Sequence, residues 1–154
     1  MRLSQFSLGG TAAIITSMGL IAGLSYADNP KASIVGGLLI IAVADNISDS
    51  FGIHMYKESE CSDRREVFIT TVGNFLVRLL ITLSFVLMVL VLPPAILIWS
   101  SPLWGLLLLT AISYNIARLR HSSPVREVMI HLVVAVTVIA ASGYAGHVIA
   151  SRLG

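Results

Sequence analysis

From Leu79 to Ala117 the chain carries no Asp, Glu, Lys or Arg. As one helix rising ~1.5 Å per residue, that run would be nearly twice as long as a ~30 Å bilayer core is thick. Pro93-Pro94 lies inside it and must divide it, because proline cannot donate the helical hydrogen bond and clashes with the turn before it. The remainder fits the same solvent: 56% of the 154 residues are apolar and 12% are charged, which is too greasy a balance for a soluble domain. The chain therefore reads as a single all-α integral membrane domain, residues 1–154.

The remaining charges act as rulers. Leu3 to Ala27 is uncharged and is followed by the polar turn Asp28-Asn29-Pro30-Lys31, which gives a first span of about 6–26. A second span, about 32–56, is interrupted only by Asp45 and Asp49 and ends in the charged run Lys57 to Glu66, read as a short loop in water. The third, about 67–92, holds Arg78 alone; the fourth is about 95–117 and the fifth about 128–151, separated by the basic loop Arg118 to Glu127. With five transmembrane helices, Arg2, Lys57, Arg64, Arg65, Arg118, Arg120 and Arg126 fall on one side, and only Lys31 and Arg152 on the other. Basic residues accumulate on the cytoplasmic side. The N-terminus is thus expected in the cytoplasm and the C-terminus outside or in a lumen, in the plasma membrane if the host is a prokaryote.

Span 1 has a rival reading as a secretory signal peptide, since Arg2, a long apolar stretch and Ser25-Tyr26-Ala27 match that pattern. Its apolar stretch is longer than a usual signal core, however, and Gly19 and Gly23 form a small-xxx-small pair suited to close helix packing. Other classes are excluded more simply. A net charge of +2, from 10 Lys+Arg against 8 Asp+Glu, is too small and dispersed for nucleic-acid binding. The single Cys61 cannot form an internal disulfide or a multi-cysteine metal centre within the chain. No nucleophile–base pair, phosphate-cradling glycine loop or HExxH motif is present, so no enzyme is expected.

Chemistry concentrates in span 2. Asp45 and Asp49 are four residues apart, so they stack on one helical face, and Asn46 and Ser50 widen it into a polar stripe that Tyr56 and Glu60 continue. Each Asp near the membrane centre costs roughly 2.5–3.5 kcal/mol on insertion scales, while each Leu, Ile, Val or Phe returns only about 0.3–0.6. The ten such residues between Ile34 and Ile53 barely cover two carboxylates, so the stripe must face partner helices, water or an ion. Arg78, at similar depth in span 3, can neutralise one Asp, and Asn74, one turn away, can hydrogen-bond the stripe. One arginine cannot neutralise both acids, which leaves a negative site near Asp49 for a proton or a cation. Met18, mid-way along span 1, is a possible soft ligand, with packing as the alternative. Glu58 and Glu60 can attract cations at the cytoplasmic entrance. His54, Met55, His131 and His147 are read as interfacial.

The run from Gly36 to Glu60, with Ala-Asp-Asn-Ile-Ser-Asp-Ser at its centre, resembles the second helix and following acidic segment of the vacuolar iron transporter family. The resemblance implies five membrane helices, a homodimer, and exchange of Fe²⁺ or Mn²⁺ for protons, with metal leaving the cytosol. It carries the family's acid-bearing helix onto Asp45 and Asp49, and its membrane methionines onto Met18. The chain also departs from the pattern. Gly9 stands where the family has an acid at the head of helix 1, the glutamate-rich segment shrinks to Lys57–Glu66, and Arg78 adds a positive charge.

The leading expectation is a homodimeric, proton-coupled transporter of Fe²⁺ or Mn²⁺ as substrate, with no resident cofactor and with membrane lipid as its solvent. Asp45 and Asp49 would be ligands or proton acceptors, and Asn46, Ser50 and Met18 would complete the shell. The alternative is a membrane scaffold or regulatory subunit with a buried Asp–Arg pair, and a third reading is transport of Na⁺ or H⁺ alone. The topology is testable by itself: intact mass should show an uncleaved first span, and C-terminal reporter fusions should report the non-cytoplasmic side.

Overall fold

The computed structural model describes residues 4–60 and 63–153; Arg2 and Cys61 lie outside them. Among the described residues there is no strand. The helices are α1 (Ser4–Leu24), α2 (Pro30–Ile40), a π-helical segment (Ile41–Asp45), α3 (Asn46–Ser59), α4 (Arg64–Val91), α5 (Pro94–Leu119) and α6 (Pro124–Leu153).

Local chemistry sets the boundaries. Asn29 caps α2, its Oδ1 accepting the Ala32 N–H at 3.4 Å, and Pro30 takes the first helical position, where its missing N–H costs nothing. Leu92 and Pro93 are extended, with ψ of 145° and 152°, because a residue before proline is kept out of the helical region. The break thus falls at Pro93-Pro94, as expected. The two charged connections are shorter than the sequence suggests. Lys57–Ser59 finishes α3, Arg64–Glu66 opens α4, Arg118 ends within α5, and α6 begins at Pro124. Lys, Arg and Glu are good helix formers, and at an exposed helix end they stay hydrated without unwinding it.

The α2, π and α3 segments run on without a break, so 30–59 is one rod. That rod, α4, α5 and α6 are long and apolar enough to cross a membrane, and α1 contributes a shorter apolar helix, Gly9–Leu24. Polarity is distributed as lipid requires. Ser17, Thr70, Asn74, Thr82 and Ser113 are buried, while Leu80, Leu87 and Trp99 face outward, since a bilayer rewards apolar surfaces and leaves polar groups to find partners inside.

Helix α1 is central, packing against α2, α4, α5 and α6 through buried Ala13, Ile14, Met18 and Ile21. Helix α1 is thus the common packing partner of the other four. Its far end meets α6 through small residues. A Cβ on Gly19 would lie 2.8 Å from Val138, and one on Gly146 would lie 2.8 and 3.0 Å from the carbonyl carbon and Cα of Gly23. Backbone cannot yield as a side chain can. Gly146→Ala should therefore lower stability by about 1–3 kcal/mol, whereas Gly143→Ala, where nothing lies within 4 Å, should be neutral or stabilising by up to about 1 kcal/mol; thermal unfolding of the two variants checks the contrast.

Candidate functional site

The buried positions of the second rod are Ile34, Leu38, Ala42, Asn46 and Ser50, one every four residues. In a regular α-helix each step of four overshoots a full turn by ~40°, so such a row drifts slowly around the helix. The wider π turn takes up part of that overshoot. Within it the Asn46 N–H reaches the carbonyl of Ile41, five residues back, and it delivers Asp45 and Asn46 to the face that meets α4. Across from them α4 presents its own row of four-residue spacing, Thr70, Asn74, Arg78 and Thr82, all buried.

Arg78 is the hub. Its residue is 3% exposed, with Nη2 paired to Asp45 Oδ2, Nη1 3.3 Å from Asp49 Oδ2, and Nη1 donating to the Gly9 carbonyl at 3.4 Å. Asn74 Nδ2 donates to Asp49 Oδ2 at 3.1 Å and to Ser50 Oγ at 3.2 Å, so the expected bond from Asn74 to the stripe is present. Asn46 Nδ2 donates to the Phe75 carbonyl at 3.0 Å, and its Oδ1 is buried without a partner, as are Asn74 Oδ1 and Arg78 Nε. The expectation that Arg78 would take one carboxylate and leave Asp49 over is refined: Nη2 hydrogen-bonds Asp45, while Asp49 lies within ion-pair distance of Nη1 and takes its hydrogen bond from Asn74. The charge count still leaves one negative charge. The carboxylates carry it at the rim, their side chains 49% and 41% exposed while that of Arg78 is 4% exposed.

The other expected site residues are dispersed. Met18 lies nine residues beyond Gly9, ~13 Å along α1, with its side chain over Gly105 of α5, where a Cβ would meet its Cγ at 2.6 Å. There it lines a cavity of about 380 Å³ with Ser101, Pro102 and Tyr144, and it is not brought to the carboxylates. Asn46 and Ser50 are buried behind the acids, held by α4. Glu60 accepts from Tyr56 Oη at 2.8 Å and from Lys57 Nζ at 3.2 Å; these bonds, the tyrosine's first, hold its carboxyl below the usual range. Glu58 is 4.0 Å from His54 Nε2, and His54 Nδ1 is 3.3 Å from Thr71 Oγ1. Among the described residues no group of three or more His, Cys, Asp or Glu side chains is placed to hold a metal ion.

Three features escape the sequence. Thr70 and Thr82 extend the buried row of α4, which the spacing of four from Thr70 to Thr82 could have revealed. Gly9 is closely packed, since a Cβ there would lie 2.8 Å from Asn74 Cγ and 3.2 Å from Arg78 Cδ; any side chain at that position would have to displace one of the two. His131 has a partner inside the bundle that the sequence does not show: seven residues into α6, its Nδ1 lies 2.7 Å from the Oγ of fully buried Ser113. His147 does lie near the end of α6, edge-on to Tyr26 at 5.4 Å.

Comparison with family models, curated proteins and solved structures finds no match to the chain.

The hub makes a prediction about coupling. Arg78→Leu alone strands two carboxylates and should cost up to about 3–5 kcal/mol, toward the lower end because the acids are half-accessible. Combined with Asp45→Asn it should cost less than the sum of the two single changes, and a thermal double-mutant cycle measures the difference. Additive effects would detach Arg78 from Asp45.

Proposed function

We propose that the chain is a proton-coupled transporter of a divalent transition metal, Fe²⁺ or Mn²⁺, carrying it out of the cytoplasm as a homodimer of five-span subunits with cytoplasmic N-termini. One observation carries this reading: a single buried guanidinium is shared by two carboxylates whose outer oxygens remain accessible. The cluster keeps one negative charge at mid-helix depth, and a charge there is expensive unless it is used. In this reading Arg78 is a tethered cation that holds the acids when no metal is present. An arriving metal takes the outer oxygens of Asp45 and Asp49, since a divalent ion leaving its water needs anionic oxygen. When it departs, a proton or the guanidinium takes its place, which is the minimum chemistry of exchange.

The same geometry supports the homodimer in this reading. Val43 and Ile47 flank Asp45 and are as exposed as it is, so this face would set a carboxylate among apolar side chains against lipid. A second copy laid on it would shield the acids from hydrocarbon and leave them a shared polar interior.

The scaffold reading is favoured by a different observation. Gly9, Asn74 and Arg78 interlock so closely at the head of α1 that the guanidinium is as well explained as a permanent structural pin.

Asp49→Asn separates the two. It keeps the side chain's size and its acceptor for Asn74 but removes the charge. In the transport reading it should abolish Mn²⁺ and Fe²⁺ flux into proteoliposomes while leaving expression and oligomeric state unchanged. In the scaffold reading it should stabilise the protein or do nothing. Wild-type protein without flux of any divalent ion above empty liposomes would sink the transport reading.

A further inference from the structure

The geometry points to a second proton-binding site, separate from the carboxylate cluster, formed by His131 of α6 and Ser113 of α5, in which Nε2 of His131 takes up and releases the proton. Ser113 is fully buried, and its Oγ lies 2.6 Å from the Leu109 carbonyl and 2.7 Å from His131 Nδ1. A hydroxyl has one hydrogen to give. Two oxygens 2.6 Å apart with no hydrogen between them would repel, so that hydrogen goes to Leu109. The contact with the imidazole must then use a hydrogen from the ring: Nδ1–H donates to Ser113 Oγ.

This assignment fixes the tautomer. With Nδ1 carrying the hydrogen, the neutral ring presents a bare lone pair at Nε2. On protonation the Nε2 lone pair forms the new N–H bond, the ring gains one positive charge, and the Nδ1–H bond to Ser113 is kept and becomes charge-assisted. Release reverses these changes. Histidine is the side chain whose ordinary ionisation falls near neutral pH, and one held inside a membrane helix is a functional group by default.

The surroundings leave that proton few competitors. Helix α6 packs against α1 and α5. From Ser4 to Leu24, α1 has no titratable residue. In α5 the titratable groups are Tyr114 and Arg118, which stack on each other at 5.8 Å where both are exposed. In α6, Arg126 and Glu127 precede the histidine. Glu127 is four residues earlier, hence on the same face one turn nearer the helix end, and accepts from Ser122 Oγ at 3.4 Å. Among the described residues of α1, α5 and α6 it is the one carboxylate on the histidine's side of the helix. Under the transport reading, on which this role rests, the pair supplies the proton leg of exchange while Asp45 and Asp49 hold the metal.

The test uses the full chain in lipid with His54, His121 and His147 replaced by Gln, leaving His131 as the single imidazole, labelled with ¹⁵N. The expected result is an Nδ1 that stays protonated throughout and an Nε2 that changes from bare to protonated as the pH is lowered. In Ser113→Ala the lock is gone and a second tautomer should appear. A neutral ring carrying its hydrogen on Nε2, an Nε2 that never gains a proton while the protein stays folded, or a tautomer unchanged in Ser113→Ala would each overturn the proposal. Metal flux then decides the role. If wild type transports and responds to a pH gradient, His131→Gln should transport without that response, and an unchanged response would overturn the coupling role. Wild type without flux would remove the transport reading while the ¹⁵N titration still decides the site.

Discussion

A guanidinium in the middle of an apolar bundle needs partners for its charge, and although Nε of Arg78 is left without one, the arrangement around its Nη groups follows from that requirement. Its Nη groups reach three separate segments, Asp45 in the π turn, Asp49 in α3 and the carbonyl of Gly9 in α1, so one side chain of α4 fastens two other helices at one level. The neighbours are selected by what it displaces. Gly9 has no Cβ because Asn74 and the Arg78 stem fill that space, and Asn74 in turn steadies the acid that Arg78 holds less closely. The π turn belongs to the same set of constraints, because it keeps a row of every fourth residue facing α4 through Asn46 and Ser50.

What the sequence reveals and what it hides divide along physical lines. Charge positions and prolines mark the helices, since an intramembrane charge or an extended Pro93 has large consequences wherever it occurs. Asp45 and Asp49 are identifiable as a pair because four-residue spacing is local geometry, and Arg78 is identifiable as their partner because no other charge shares their depth. The reach to both acids is not readable, as it depends on a rotamer and on the distance between two helices. The π turn leaves no mark in Ile41–Asp45, a run of ordinary apolar residues ending in an acid. Met18 is misplaced by the sequence because midway along α1 is a depth and says nothing of which side the residue faces; its side faces Gly105. The bond of His131 to Ser113 is not readable either, since it depends on how α5 and α6 pack.

The polar interior falls into two centres on different partners of α1. Asp45, Asp49 and Arg78 join α1 to the second rod and α4, whereas Ser113 and His131 join α5 to α6. Since α1 carries no titratable residue from Ser4 to Leu24, its side chains offer no ionisable relay between the two. Any exchange between them runs through water or through the motion of helices.

The fold also indicates which helix could move. Near its start α1 is pinned by the Gly9 carbonyl on Arg78, and near its end by the backbone contact of Gly23 with Gly146. A helix fastened at both ends to different neighbours serves better as a frame than as a lever. The rod 30–59 differs in each respect. It contains a π turn, whose hydrogen bonds can revert to the α pattern and rotate everything beyond them. Before that turn the rod is packed on α1, where a Cβ on Gly37 would lie 2.9 Å from Leu20, whereas beyond it an added Cβ on Gly52 would meet nothing within 4 Å. The pair of carboxylates on Arg78 ties this second half to α4, and in the proposed transport reading that is the tie a cation or a proton would loosen by competing for the same oxygens. Binding and movement would then be one event, with the acids that receive the ligand also serving as the latch that holds the rod.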